Sequence, residues 1–170
     1  MAGKDDMLDG MVDLVWSEVA PPSPRGNLRP AIRKTAVSAY QLLVRYPWAA
    51  SLAISLGRAH PARLRYIEAI LGKLRKAGFS TALAYHGYHA IDSHVVGFTM
   101  WYDGHAVGAG RRAKSERATA LPFEPGEFPY LAEHTEEHRT GIGVGLTGTD
   151  EFTFVLDLIL DGLDRARGNS

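Results

Sequence analysis

One pair of histidines in the chain has the spacing of a helical zinc site. His134-Thr135-Glu136-Glu137-His138 matches H-x-x-E-H, in which two imidazoles share one helical face beside a glutamate. A zinc hydrolase also needs a third ligand and a firmly packed helix. This segment is short and is followed by four glycines between positions 141 and 148. We therefore interpret it as a charged helix facing solvent and predict no metal and no cofactor.

A second group of titratable residues falls within one long predicted helix. It contains four histidines and two aspartates: His86, His89, His94, His105, Asp92 and Asp103. A neutral imidazole can line a pocket, hydrogen-bond within a core or interface, or ligate a metal. For His86 and His89 the first two interpretations stay open side by side, and metal binding is the weakest of the three.

Two further segments resemble phosphate-binding sequences only superficially. Gly141-Ile142-Gly143-Val144-Gly145 lacks the preceding strand and the further glycine opening a helix that a nucleotide fingerprint requires, so we interpret it as a linker. The basic segment 111–117 is interpreted as a solvated loop. No nucleophile, base and orienting group stand in a recognisable arrangement, so the chain is not expected to be an enzyme.

Composition narrows the class of protein. The chain of 170 residues suits one domain, is 45% apolar and 22% charged, and carries 19 basic and 19 acidic side chains. Because DNA-holding surfaces are usually strongly basic, this balance argues against nucleic-acid binding by this chain alone.

The chain has no cysteine, which excludes disulfides. Without a long apolar run or a basic, apolar leader, we expect a cytoplasmic protein that does not enter a membrane.

Apolar periodicity and helix-breaking residues predict an all-α fold of seven helices. Asp5 and Asp6 precede the first helix, three prolines between positions 21 and 24 end it, and Asn27 caps the second. Gly78 stops the fourth helix, and Ser80 caps the fifth. The predicted helical ranges are 7–19, 28–46, 48–57, 61–76, 81–107, 128–138 and 149–167, with a loop over 108–126.

The fifth and seventh helices each carry two apolar faces. In the seventh, one face holds Phe152, Val155, Leu156, Ile159 and Leu163, and another holds Phe154, Leu158 and, less squarely, Leu160. In the fifth, a face of large residues runs beside a second one of mostly small residues. A monomer's surface helix usually has one apolar face. We therefore predict a homodimer with a four-helix interface, the alternative being central helices buried within one subunit. The predicted interface residues are Gly87, Ala90, His94, Gly97, Trp101, Phe154, Leu158 and Gly162.

Five stretches together resemble the TetR-type transcriptional regulators with a tetracycline-repressor-like C-terminal region. They are Lys4-Asp5-Asp6-Met7-Leu8-Asp9-Gly10-Met11, Tyr46-Pro47-Trp48-Ala49, residues 64–79, Phe128-Pro129-Tyr130-Leu131, and residues 150–163. Their order and spacing cover nearly the whole chain. The resemblance implies a helical domain around a small-molecule pocket, with the long and final helices at the dimer interface.

The resemblance also implies a mechanism and a ligand site. In this family a small molecule bound in the domain changes the separation of two DNA-reading headpieces, and the repressor leaves its operator. Helical phase, together with the family's pocket position, predicts that an apolar or aromatic effector contacts Met11, Val15, Tyr40, Leu43, Tyr66, Ile67, Tyr85, His86, His89 and Met100.

The family's helix-turn-helix headpiece precedes the Lys4 stretch, so we expect this chain to be a single regulatory domain over residues 1–170 without its headpiece. Deliberate trimming, a misassigned start and a naturally headless relative that sequesters ligand all stay open. The first expectation for function is a ligand-sensing domain that controls operator binding in the complete protein, and the headless ligand-binding dimer is the alternative.

Overall fold

Helices make up all the regular structure that the computed structural model describes, which comprises residues 3–55, 60–112, 126–140 and 148–168. The all-α prediction is confirmed for these residues, and the predicted order of helices is also confirmed. The bounds are α1 Lys4–Ser17, α2 Leu28–Arg45, α3 Pro47–Ser55, α4 Pro61–Lys76, α5 Thr81–Arg112, α6 Pro129–Thr140 and α7 Gly148–Gly168.

The predicted stop after α4 is formed by glycine. Gly78 has a φ of 91°, in the left-handed region that residues with a Cβ rarely adopt. The amide of Gly78 donates to the carbonyl of Arg75, and the amide of Phe79 donates to that of Leu74. These two bonds form a Schellman motif, and the side chain of Phe79 is buried in the core. The motif therefore ends α4 and anchors the connection to α5.

The long helix α5 begins where the sequence predicts and ends later. Ser80 caps it through a 3.1 Å hydrogen bond from the amide of Leu83 to the Ser80 hydroxyl. The predicted end at Val107 and the predicted start of a loop at 108 are wrong, because the helix continues to Arg112. Gly108 and Gly110 have low helix propensity and made the earlier end the expected one. Residues 113–125 and the predicted linker at 141–147 lie outside the described residues.

Helix α5 has a central place in the packing. It contacts α2, α3, α4 and α7, while α1 packs against α3 and α4, and α2 also packs against α7. The most deeply buried large side chains come from α1, α2, α4, α5 and α7. They include Trp16, Ile32, Leu43, Ile70, Leu74, Ile91, Phe152 and Leu156. The buried apolar side chains that α5 contributes to this core are those of Ala84, Tyr88, Ile91, Val95 and Val96.

Polar contacts fix how the helices meet. The carboxylate of Asp13 on α1 accepts a 2.6 Å hydrogen bond from the amide of Ala62, in the first turn of α4. The buried ammonium of Lys73 donates to the carbonyls of Ser23 and Gly26, at 2.8 and 2.9 Å, in the connection between α1 and α2. Both contacts join segments distant in sequence. In the described part of the chain no helix is both long and apolar enough to cross a bilayer.

Candidate functional site

Five polar or aromatic side chains meet inside the domain where α4 packs against α1 and α5. Trp16 comes from α1, Arg63 and Tyr66 from α4, and Tyr88 and Asp92 from α5. The spacings 63/66 and 88/92 place each pair on one helical face, because residues three or four apart are neighbours there. We call these five residues the polar cluster.

An ion pair and an aromatic stack hold the polar cluster together. Arg63 donates to Asp92 at 2.7 Å, and the side chains of this pair are only 16% and 14% exposed. The Arg63 guanidinium also lies over the Trp16 ring, 4.5 Å from its centroid. The rings of Trp16 and Tyr66 are 5.2 Å apart and tilted by 54°. The cluster thus combines flat aromatic surfaces with a paired charge in the interior of the domain.

Several buried polar atoms of the cluster make no hydrogen bond with the described residues. They are the indole nitrogen of Trp16, the hydroxyl of Tyr66, one terminal nitrogen of Arg63 and one carboxylate oxygen of Asp92. His60, the N-cap of α4, also has a buried ring nitrogen without a partner. A buried donor or acceptor left unbonded costs about 1–3 kcal/mol. Such a concentration of unbonded groups is therefore unfavourable for the chain by itself.

The tyrosine hydroxyls of the cluster stay protonated. Burial raises the pKa of Tyr66 far above its ordinary value, and the negative charge of Asp92 raises it further. Burial and Asp92 raise the pKa of Tyr88 in the same way. Both side chains are therefore neutral at physiological pH, and the Tyr66 hydroxyl keeps a proton that it can donate.

A second aromatic group packs α2, α5 and α7 together. The ring of Phe152 is stacked on that of Tyr40 at 4.3 Å and on that of His94 at 4.5 Å, and Phe98 packs edge-on against Phe152. The ring nitrogen Nε2 of His94 lies 2.8 Å from the carbonyl oxygen of Phe152. Burial raises the pKa of Tyr40 to about 12 and lowers that of His94. These aromatic side chains fill the core.

The structure divides the residues predicted to bind ligand into two groups. Tyr66 belongs to the polar cluster, Val15 is buried next to Trp16 in sequence, and Ile67 packs against the core. Tyr40 and Leu43 are buried on α2, with Tyr40 in the second aromatic group. These five residues therefore lie in the interior, and their contact with a ligand stays a prediction.

The other five predicted ligand residues do not line the interior. The exposed residues are Met11, Tyr85, His86, His89 and Met100. Tyr85 is 57% exposed, and its ring lies 4.4 Å from that of His89 on the outer side of α5. The physical reason is helical phase, since the inner face of α5 is taken by Ala84, Tyr88, Ile91 and Val95.

Sequence reasoning missed the charged members of the cluster. Arg63, Asp92 and Trp16 are absent from the ten residues predicted to contact a ligand. The signal was present, because Asp92 directly follows the buried Ile91 and Arg63 directly follows the buried Ala62. A charged side chain at the edge of a core-facing helical surface is rarely buried unless it is paired.

The small-residue face of α5 and the second face of α7 point outward. Ala90, Gly97 and Trp101 are exposed, as are Phe154 and Leu158, which are 62% and 54% exposed, while Gly162 is half-buried. Three residues predicted for these two outward faces lie elsewhere: Gly87 and His94 on α5, and Leu160 on α7. A Cβ on Gly87 would stand 3.1 Å from a methyl group of Leu163 in the same chain. His94 is stacked on Phe152, and Leu160 is buried rather than on the outward face of α7.

Two other features do not coincide with the cluster. An open groove of about 450 Å³ runs along α2 and is lined by Ala20, Pro30, Arg33, Lys34, Val37, Ser38 and Gln41, none of them predicted. His134 is exposed on α6, and the side chain of His138 lies outside the described residues. Within the described ranges, no group of three or more histidines or carboxylates is arranged to hold a metal ion.

Comparison with known proteins gives one consistent family. The sequence model of one protein family, the tetracyclin repressor-like C-terminal domain, matches residues 20–167. A protein of Saccharopolyspora erythraea described as an HTH-type transcriptional regulator is 32% identical over 134 residues, which make up 76% of this chain and 55% of that protein. The chain thus spans little more than half the length of this relative.

Solved structures show the same fold at low sequence identity. The TetR family protein ActR of Streptomyces coelicolor, in complex with actinorhodin, is 23% identical with a TM-score of 0.73, covering 98% of this chain and 78% of ActR. The apo form of ActR gives a TM-score of 0.71 at 23% identity, with coverages of 98% and 77%. A further TetR regulator of Streptomyces coelicolor is 18% identical with a TM-score of 0.72, covering 96% of this chain and 77% of that regulator.

Proposed function

Because this chain belongs to the family of TetR-type transcriptional regulators through their tetracyclin repressor-like C-terminal domain, we propose that it is a small-molecule-sensing regulatory domain. Its effector binds in the polar cluster between α1, α4 and α5. The chain acts as one ligand-binding and dimerising unit and itself catalyses no reaction. In the complete protein, the effector controls operator binding.

The unbonded buried polar atoms of the cluster carry this proposal. Ligand sites in proteins are mostly apolar and contain a few converging polar groups. The cluster has this character, with the Trp16 indole, the Tyr66 hydroxyl and the Arg63 guanidinium close together among apolar side chains. Leaving these groups without hydrogen bonds makes the free domain less stable. A ligand that hydrogen-bonds to them removes this free-energy cost, which makes binding more favourable.

The position of the cluster gives ligand binding a route to the rest of the protein. Trp16 lies on α1, and its ring contacts Arg63 and Tyr66 on α4. A ligand that enters here separates α1 from α4. Such a displacement of α1 couples the ligand site to operator binding only if the ligand has different affinities for the two positions of α1.

A solved structure of the same fold supports a small-molecule effector. ActR has been crystallised with actinorhodin and with (S)-DNPA, so a neighbour of the same fold binds small molecules. We infer an apolar or aromatic effector for this domain, with a homodimer as the functional unit and no direct nucleic-acid contact by this chain.

The experiment is a thermal-shift screen of aromatic compounds, with actinorhodin as the first probe, followed by calorimetry on variants. Trp16→Phe and Tyr66→Phe keep the rings and remove the polar atoms. Each should weaken the binding of a confirmed ligand by about 5-fold, since one hydrogen bond contributes about 1 kcal/mol.

The matched control is Tyr85→Phe, which makes the same chemical change on the outer side of α5 and should leave the affinity unchanged. If Tyr85→Phe weakens binding and the two cluster variants do not, the effector binds on the outer face and the site proposed here is wrong. A screen in which no compound stabilises the domain contradicts the sensing function itself.

A further inference from the structure

We propose that the polar cluster recognises a planar aromatic ligand through an oxygen acceptor, a carbonyl or carboxylate placed between Trp16, Arg63 and Tyr66. This inference rests on the proposed function, because it names the chemical class that the same site selects. It is based on the kinds of hydrogen-bonding group that the cluster leaves unbonded.

The unbonded groups of the cluster are mostly donors. The indole N–H of Trp16 and the guanidinium N–H groups of Arg63 can only donate, and the Tyr66 hydroxyl holds a proton to donate. Among the described residues of the cluster, the acceptor without a hydrogen bond is a carboxylate oxygen of Asp92. A ligand that satisfies this set must bring acceptors to the Trp16 and Tyr66 side of the cluster.

The geometry of the charges favours a flat oxygen-bearing group over an ammonium. One nitrogen of Arg63 is used by Asp92 at 2.7 Å, which leaves the other terminal nitrogen directed elsewhere. A guanidinium is a planar fork that suits carbonyl and carboxylate oxygens. A cation placed here would meet the Arg63 charge in a poorly solvated interior, where the repulsion between like charges is strong.

The aromatic part of the ligand follows from the shape of the cluster walls. The Trp16 ring and the Arg63 guanidinium lie 4.5 Å apart, and the Tyr66 ring lies 5.2 Å from that of Trp16. These are flat surfaces against which a ring system can stack once α1 moves aside. The side chains of Trp16 and Tyr66 are 2% and 5% exposed, so the ligand is enclosed when bound.

The test compares naphthalene probes that share one ring system and differ in one group. The probes are 1,4-naphthoquinone for the carbonyl, 2-naphthoate for the carboxylate, naphthalene without a polar group, and 2-naphthylmethylammonium as the donor cation. The quinone is usable because the chain has no cysteine to alkylate. Affinities are measured by ligand-observed NMR and calorimetry.

We expect the quinone or the naphthoate to bind at least about 10-fold more tightly than naphthalene, and the ammonium probe to bind more weakly than naphthalene. Stronger binding of the quinone identifies a neutral carbonyl as the preferred acceptor, and stronger binding of the naphthoate identifies a carboxylate. Equal binding of all four probes overturns this inference and leaves the proposed function intact, because an apolar site would still be present.

A variant separates recognition from folding. Arg63→Gln alone leaves Asp92 buried without its partner, so it is combined with Asp92→Asn, which restores an amide pair of similar shape. The double variant should bind naphthalene as the wild type does and lose the preference for oxygen acceptors. Retention of that preference in a folded double variant contradicts the role of Arg63. Absence of binding by any probe to the wild type contradicts both this inference and the ligand site from which it follows.

Discussion

At the scale of single residues, the domain keeps polar groups where apolar ones would pack better. The Tyr66 hydroxyl is buried and makes no hydrogen bond with the described residues, although its ring is well packed against Trp16. Arg63 and Asp92 are paired, but each leaves one polar atom without a hydrogen bond to any described residue. A domain optimised only for stability would lack these groups, and sites kept for function commonly carry this kind of cost.

The first prediction concerns this cost. Tyr66→Phe removes a buried hydroxyl that has no partner and leaves the ring in place, so the free energy of unfolding of the ligand-free domain should rise by about 1 kcal/mol. Urea denaturation at equilibrium measures this change. Tyr130→Phe, at a side chain that is 85% exposed, should change it by less than about 0.5 kcal/mol. A loss of stability in Tyr66→Phe would mean that the hydroxyl is bonded in the free protein.

The second prediction concerns pH. Burial lowers the pKa of His94 below its ordinary value of 6.5, so the folded domain holds this ring neutral. Below about pH 6.5, His94 is protonated in the unfolded chain but stays neutral in the folded chain. The stability that neutral His94 contributes is therefore fully present above that pH. This contribution is lost as the pH falls through the lower folded-state pKa.

Urea denaturation between about pH 5 and pH 8 tests this prediction. The free energy of unfolding should fall on the acid side, and His94→Gln should make the profile flatter, because its amide can still donate to the Phe152 carbonyl without titrating. His86→Gln, at an exposed histidine, should leave the profile unchanged. An unaltered profile in His94→Gln would show that another group controls the acid side.

At the scale of the helices, contacts between distant segments fix the helix ends that border the site. Helix α4 starts at Pro61 after His60, whose side chain makes no capping hydrogen bond. The capping acceptor comes instead from Asp13, one turn before Trp16 on α1. The same contact therefore satisfies the N-terminus of α4 and holds α1 against it, next to the polar cluster.

The third prediction tests this cap. Asp13→Ala removes the acceptor from the positive end of α4 and should lower the free energy of unfolding by about 1 kcal/mol, the usual cost of losing a helix cap. Chemical denaturation is the measurement, with Glu68→Ala as the matched control. Glu68 is exposed on the same helix, and its loss should change stability by less than about 0.5 kcal/mol. Equal effects of the two substitutions would contradict the capping role.

At the scale of the whole molecule, α5 and α7 bury one apolar face in the chain and leave the other uncovered. Phe154 and Leu158 on α7 are more than half exposed, and Trp101 on α5 is 43% exposed. A Cβ on Gly97 would meet no atom within 4 Å, so nothing in the described chain packs against that position. The proposed homodimer covers this outward face with the same face of a second copy.

The fourth prediction tests the homodimer by sedimentation. The wild-type chain should sediment as a dimer at micromolar concentration, and Leu158→Glu should weaken the dimer by about 100-fold or more, since two apolar side chains are lost and two charges enter the interface. Circular dichroism should show that the variant keeps its helices. Leu64→Glu, at a leucine on α4 that is 51% exposed, should remain dimeric. A wild-type chain that sediments as a folded monomer would contradict the proposed partner.

The helices and their order follow from the sequence alone, because helix formation depends on local features. Apolar residues at three- and four-residue intervals, the Ser80 cap and the Gly78 stop each act within one or two turns. The same periodicity also predicted two faces on α5 and α7. It placed Gly87, His94 and Leu160 wrongly because residues at the boundary between two faces turn inward or outward according to their neighbours, and for Gly87 that neighbour is Leu163, which is 76 positions later.

Only the tertiary structure decided which residues form the candidate site. Trp16, Arg63 and Asp92 belong to three helices, and no local pattern relates them. Their meeting depends on how α1 and α5 pack against α4, which is a matter of side-chain shape over the whole core. Five of the ten residues predicted to contact a ligand are exposed, since helical phase gives a direction around one helix but not the position of the next. Long-range packing sets that position, and it brought the buried charges together.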